Sequence, residues 1–319
     1  MSKLLIAIFV CMLWQTTFAQ KWEIRKYYEL INLAELEIVD SNYQKALNFY
    51  KEAFLCKKPN ADDLANSFQT AFLIKDTAMA TLLLNKLAIK GMHPTYYKNN
   101  RLFSAYNIDS NFYLYLMQDY DSLYNISIST LKPFGDSFKP FHDEDQRVRD
   151  LREKDSTINI EPFDIANEKK LYNYIRRTQF PTFENTGFWE TFGRSHYQYG
   201  ICWLIAWHRR PNKSILEDLL LEQVLAGNYN PETFAGIVDG QSGAYGLQLV
   251  HIGLESLSSE ELKQLNDRRK AIYLESIEDY IKKSKFQFED ERFMIVNDFY
   301  NGFNKVIKKL KAQKKENEK

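Results

Sequence analysis

Glycine and proline are scarce in this chain, at 12 and 8 of 319 residues, against 22 Phe and 20 Tyr. Few breakers and many large side chains disfavour a sandwich of short strands and suit long packed helices. Charge of one sign is also missing. Lys+Arg and Asp+Glu both number 42, so no global field draws the chain to nucleic acid or to an anionic membrane. Histidine is thin: His93, His142, His196, His208 and His251 are the full set. None are spaced His-x-x-x-His and no two cysteines lie close together, so no metal site or cofactor is expected. The segment Gly240–Gly246 reads as a glycine-containing loop, but it lacks the Gly-Lys-Ser/Thr of a phosphate cradle. Ser195 is not framed by glycine on both sides, which argues against a nucleophile elbow.

Hydrophobic residues at 45% and charged residues at 26% are ordinary for a folded soluble protein. Beyond residue 20 no apolar run is long enough to span a bilayer. The first twenty residues differ. Lys3 supplies a positive start, Leu4–Trp14 an apolar stretch, and Thr17-Phe18-Ala19 a small-x-small exit before Gln20. That is the layout of a cleaved secretory signal, so residues 1–19 are set aside and export to the periplasm or cell envelope is expected. Removal of Cys11 with that segment leaves Cys56 and Cys202. Two cysteines do not make a disulfide framework, and both are expected to be unpaired, with Cys202 buried in Ile201–Trp207.

The informative regularity is a period of 34 residues. Leu30, Ala46, Phe49, Tyr50 and Ala53 recur as Leu64, Ala80, Leu83, Leu84 and Leu87. A small residue followed by bulky ones three and four places on fits a tightly packed pair of antiparallel helices. Two hairpins are expected over residues 22–91. The first helix runs from Ile24 to Val39, a turn falls at Asp40-Ser41-Asn42, a second turn falls at Lys75-Asp76, and Gly91 makes a left-handed stop. Period and pattern resemble the tetratricopeptide repeat. Glu37 and Phe68 depart from it, standing where that family prefers an aromatic and a small residue. No third copy follows, because Phe103–Tyr124 is helical and aromatic but off register. The resemblance implies a groove for a protein or peptide, with Tyr27, Asn32, Glu35 and Asn66 as candidate binding residues.

Lys132-Pro133-Phe134-Gly135 and Lys139-Pro140 read as a linker, so a boundary is placed near residue 138. The expected divisions are 20–137, 138–285, and a C-terminal helix with a charged tail over 286–319. The later part is expected to carry helices from Asp143 to Lys154, from Ile165 to about Thr178, over 197–207, and from Ile215 to Ala226 behind Ser214. A short helix from Pro231 to Asp239, a long helix after the capping box Ser258/Glu261, and an amphipathic helix over Phe293–Leu310 complete it. No segment demands a strand, and the fold class is all-α.

The later part also carries an ordered set of polar words. They are Asp145-Gln146-x-x-Arg149, Asp164-x-x-Asn167, Phe180-Pro181, Trp207-His208, Asp239, Tyr245-Gly246 and Asp267-Arg268-Arg269. Over residues 142–282 this set resembles a bacterial helical domain family often found behind tetratricopeptide-like helices, for which no activity is established. Trp207, Gly240 and Tyr273 depart from it, where Gln, a basic residue and Gly are expected. Asp145 and Arg149 are four apart and share a helix face, as do Asp164 and Asn167 at three. With His208 entering from the end of an apolar helix, these five could line one acid–base pocket of a hydrolase-type enzyme. Asp239, Tyr245 and Arg268 are further candidate binding residues. The competing readings are buried ion pairs that only hold helices in register, and a purely structural envelope protein. Protein or peptide binding is the leading expectation.

Overall fold

The computed structural model describes residues 2–92, 118–187, 190–191, 194–195, 197–210, 212–255, 257–290 and 292–296. Side chains are described from residue 21 onward within these ranges, apart from those of residues 190–199, 251, 252 and 288. The fold is all-α. Among the described residues the one extended pairing is a minimal hairpin, β1 (Glu190–Thr191) with β2 (Arg194–Ser195), which the sequence did not signal.

Helix α1 runs unbroken over Ser2–Val39, starting well before the expected Ile24, and packs against α2 (Tyr43–Cys56). Helices α3 (Ala61–Leu73) and α4 (Thr77–Ile89) form the second hairpin. The 34-residue period holds in the geometry. Ala46 and Ala80 are both fully buried, as are Ala53 and Leu87, so the paired helices approach closely where the repeat requires it. The turns repeat as well. Ser41 and Lys75, again 34 apart, are both left-handed at φ 60° and 59°. The amide of Ser41 bonds the Ile38 carbonyl as that of Lys75 bonds Phe72, and Asn42 bonds Glu37 as Asp76 bonds Ala71. One carbonyl-satisfying stop is therefore used twice, without glycine.

Helix α5 (Tyr120–Thr130) packs against α4, and the Tyr120 hydroxyl donates to the Met92 carbonyl. The aromatic helix expected over Phe103–Tyr124 lies outside the described residues up to 117, and its described end continues to Thr130. The expected linker is helical. Residues Lys132–Asp136 form α6 and Lys139–Lys154 form α7, with Pro133 and Pro140 in the first turns, where a missing N–H costs nothing. Helix α8 (Glu161–Arg177) starts one turn before the expected Ile165, again behind a first-turn proline. Then come α9 (Phe183–Thr186), α10 (Tyr197–His208), α11 (Leu216–Leu225), α12 (Pro231–Ser242), α13 (Leu249–Ile252), α14 (Ser259–Ala271) and α15 (Ile277–Glu289). Helix α12 continues through Gly240 into the segment expected to be loop and stops at Gly243, φ 66°. Its hydrogen bonding outlasts one glycine; only the left-handed residue ends it. The long helix expected after Ser258 has its capping box but breaks at Tyr273, φ 67°, before α15 begins. Phe293–Val296 is not helical, against the expected helix, with Phe293, Ile295 and Val296 buried; the rest of Phe293–Leu310 lies outside the described residues.

Three apolar clusters result. One joins Leu47 on α2 with α3 and α4, plus Tyr120 and Phe183. A second joins α1 and α2 with Phe293 and Ile295. The largest gathers α8, α10, α11, α12 and α15, and it takes in Ile24 and Tyr28 of α1. Tyr28 stacks on Tyr273, and Gly227 lies so close to Ile24 that an added Cβ would meet its Cγ1 at 3.1 Å. Cys56 and Cys202 are both free thiols, and burial pushes the Cys202 thiol up. Among the described residues no helix is long and apolar enough to cross a membrane.

Candidate functional site

Helices α7 and α8 lie side by side, and α10 ends against both. That packing brings four of the five sequence-nominated polar residues together. Asp145 is 3% exposed, yet its carboxylate is well served. It accepts from Gln146 Nε2 at 2.9 Å and from Arg149 Nη2 at 3.3 Å, one turn along α7. The same Nη2 reaches across to Asp164 Oδ1 on α8 at 2.7 Å. His208, the last residue of α10, sets Nδ1 against Asp145 Oδ1 at 2.7 Å. One guanidinium thus bridges two buried carboxylates, and one of those carboxylates also orients an imidazole. Arg149 Nη1 is buried without a hydrogen bond, and His208 Nε2 has no hydrogen-bond partner among the described residues.

A cavity of about 270 Å³ opens beside this group. Asp164 and His208 line it with Arg152, Asn159, Glu161, Arg209, Arg210 and Asn212. Arg209 is held by Glu168, from Nε to Oε2 at 3.1 Å, and Glu168 also takes the Ser214 hydroxyl and the Ile215 amide at 3.0 Å. Arg210 folds over Trp207 and lies against Gly240, where a Cβ would sit 2.4 Å from Arg210 Nη1. Glycine at 240, noted above as a departure from the basic residue expected, leaves the space that Arg210 occupies.

Asn167 does not join the cavity. Its Nδ2 donates to the Phe141 carbonyl at 2.8 Å, fixing α8 on α7. Asp239, Tyr245 and Arg268 form a separate group. Asp239 accepts from the backbone amides of Tyr245 and Leu247, both at 2.6 Å, and burial pushes its carboxyl up against the pull of these bonds. Arg268 donates to the Ala244 carbonyl at 2.9 Å, and the fully buried Arg269 bonds the carbonyls of Tyr245 and Glu275, both at 2.7 Å. These residues pin the turn after α12.

The four residues nominated for a groove on the hairpins all hold partners within the chain. The Tyr27 hydroxyl donates to Asp63, and Asn32 Nδ2 donates to Asp279 at 2.8 Å. Glu35 pairs with Lys283 at 2.6 Å, and Asn66 bonds the backbone of Met294. Lys283 also reaches Glu275 at 3.1 Å, so one buried ammonium serves two carboxylates. Burial pushes Glu35 up to about 8, while Glu275, beside both Lys283 and Arg269, is held below its ordinary range despite its burial.

Sequence reasoning missed Arg152, Glu168, Arg209 and Arg210. Signals were present: Arg149 and Arg152 are one turn apart on α7, and Arg209-Arg210 directly follow His208. Among the described residues no group of three His, Cys, Asp or Glu side chains is placed to hold a metal. No family model matches this chain, and neither a curated protein nor a solved structure matches it.

Proposed function

We propose that the later helices form a small-ligand pocket with acid–base capability, and that the protein is a hydrolase-type enzyme built on a helical-hairpin scaffold. The observation that carries this reading is the Asp145–His208 contact at the wall of the cavity. A carboxylate on Nδ1 fixes the tautomer and orientation of the ring, which frees Nε2 to take or deliver a proton. Arg149 donates to both Asp145 and Asp164 and so offsets their negative charge beside the ring. Arg152, Arg209 and Arg210 supply donors at the mouth, where they would orient a polar substrate over His208. The signal-like first twenty residues support placing the protein in the periplasm or envelope. The 34-residue period and the ordered polar words support kinship with tetratricopeptide hairpins and with the bacterial domain family named above.

The test is hydrolysis of a chromogenic panel (p-nitrophenyl acetate, p-nitrophenyl phosphate and bis-p-nitrophenyl phosphate) by the full chain and by His208→Ala. The expected result is turnover of at least one substrate, reduced about 10²- to 10⁴-fold in the variant with its melting temperature kept. Equal rates for both proteins, or no turnover above buffer across the panel, would sink the reading.

A further inference from the structure

The arginines around the cavity are not equally committed. Arg209 gives Nε to Glu168 at 3.1 Å and sets Nη1 4.0 Å from Glu161. Arg210 gives Nε to the Trp207 carbonyl at 2.9 Å and lays its guanidinium on the Trp207 ring. Arg152, one turn beyond Arg149 on α7, lines the same cavity and has no hydrogen bond or ion pair with any described residue. Its fork of N–H donors stands at the wall with nothing to hold.

Two carboxylates share that wall and would repel an anion, but each has its counterpart. Asp164 Oδ1 accepts from Arg149 at 2.7 Å, and Glu161 Oε1 accepts from Asn212 Nδ2 at 3.3 Å beside Arg209. Acid and base therefore balance around the cavity. What is left to a ligand is a local fork of donors at Arg152, not a general positive field. The rest of the wall is of another kind. Ile158 and Ile160, half-buried in the segment between α7 and α8, line the cavity as well. Methylenes of a ligand would cover them and exclude water there. At about 270 Å³ the space falls below the ~300 to 1,000 Å³ typical of drug-sized ligands, so the occupant is small.

We propose that the ligand of this pocket is a short aliphatic carboxylate. Its anionic end is held by Arg152, its methylenes lie against Ile158 and Ile160, and its other end lies at His208. A planar carboxylate matches a guanidinium through two parallel N–H···O bonds, which a neutral amide cannot imitate. The inference rests on the pocket reading above and names its substrate class: a half-ester or half-amide of a short dicarboxylic acid.

The test is isothermal titration of the full chain with glutarate, with its neutral diamide glutaramide, and with inorganic phosphate. Glutarate is expected to bind at least about tenfold more tightly than glutaramide, and more tightly than phosphate, which has no methylenes for the isoleucines. Arg152→Ala should erase the preference for glutarate over glutaramide. Arg152 is exposed on α7, so this variant is expected to keep its melting temperature, and Arg152→Gln repeats the measurement with the side-chain length kept. Lys154→Ala, which removes a cation of the same helix away from the cavity, should leave the preference intact. Equal affinity for glutarate and glutaramide, a preference that survives the loss of Arg152, phosphate bound as tightly as glutarate, or no binding of any of the three overturns the proposal. Binding is read without turnover, so the two readings fail separately. A chain that grips glutarate through Arg152 yet hydrolyses none of the chromogenic panel keeps this ligand and loses the hydrolase. A chain that hydrolyses p-nitrophenyl acetate through His208 but ignores glutarate does the reverse.

Discussion

Two buried polar groups among the described residues are built from similar residues and end in different states. At the junction of the hairpins with α15, Lys283 is buried between Glu35 and Glu275, and Glu275 also meets the buried Arg269, so every member has its partner inside the chain. At the meeting of α7, α8 and α10, Arg149 joins Asp145 and Asp164, but His208 remains with one nitrogen at a cavity. The difference is solvent access. A charge group sealed on all sides repays its desolvation only by full pairing, whereas a group with one wet wall can leave a proton site open. The first arrangement fastens two halves of the fold together; the second can do chemistry.

Breaking the sealed group should have the largest effect. Lys283→Met removes the only cation bonded to Glu35 among the described residues and leaves Glu275 with Arg269 alone, at 3.8 Å. We expect a loss of about 3 to 5 kcal/mol in denaturant unfolding at pH 9, where Glu35 is ionised in the unmodified protein, the usual cost of breaking a buried pair. A loss under 1 kcal/mol would mean that water reaches this junction and that the contrast is false.

The pH response sharpens the contrast next. Glu35 has its folded pKa raised from the ordinary carboxylate range to about 8. The folded state then binds a proton that the unfolded chain has released, so stability falls as pH rises from about 4.5 to 8 and levels off above that. Glu35→Gln, a neutral mimic of the protonated form, should abolish this slope and gain on the order of 2 kcal/mol over wild type at pH 8.5. Thermal melts of both proteins from pH 5 to 9 check it, and parallel curves would refute it.

The smallest effect on stability belongs to the open group. In His208→Ala, Asp145 keeps Gln146 and Arg149 as partners, so we expect a cost of about 1 kcal/mol. Chemical denaturation distinguishes this from the sealed pattern, in which the cost would match that of Lys283→Met.

The hairpins were legible because each requirement is local. A buried small residue, bulky neighbours three and four places on, and a stop at Ser41 or Lys75 all sit within one period, and the structure repeats each of them. Helix edges were less legible. Pro133 and Pro140 read as parts of a linker, yet each lies in a first turn, as Pro162 does in α8, and there proline starts a helix as readily as it ends one. Of the site, the sequence showed Asp145 and Arg149 on one face of α7. It could not place Asn167, whose amide type suits a backbone carbonyl as well as a cavity. Nor could it separate Asn66, Glu35 and Tyr27 as groove residues from groups consumed inside the chain, since polarity at a helix face says nothing of what covers that face.

By itself, then, the sequence determined the helical class, the doubled hairpin and the residue types available for acid–base work, because spacing along one helix fixes which side chains share a face. Only the tertiary structure decided that α10 ends against α7 and α8, placing His208 on Asp145, and that Phe293–Val296 lies between the clusters instead of coiling. Those outcomes depend on which apolar faces meet, and that is settled by the joint packing of segments far apart in sequence, 63 residues for His208 and Asp145 and 228 for Asn66 and Met294.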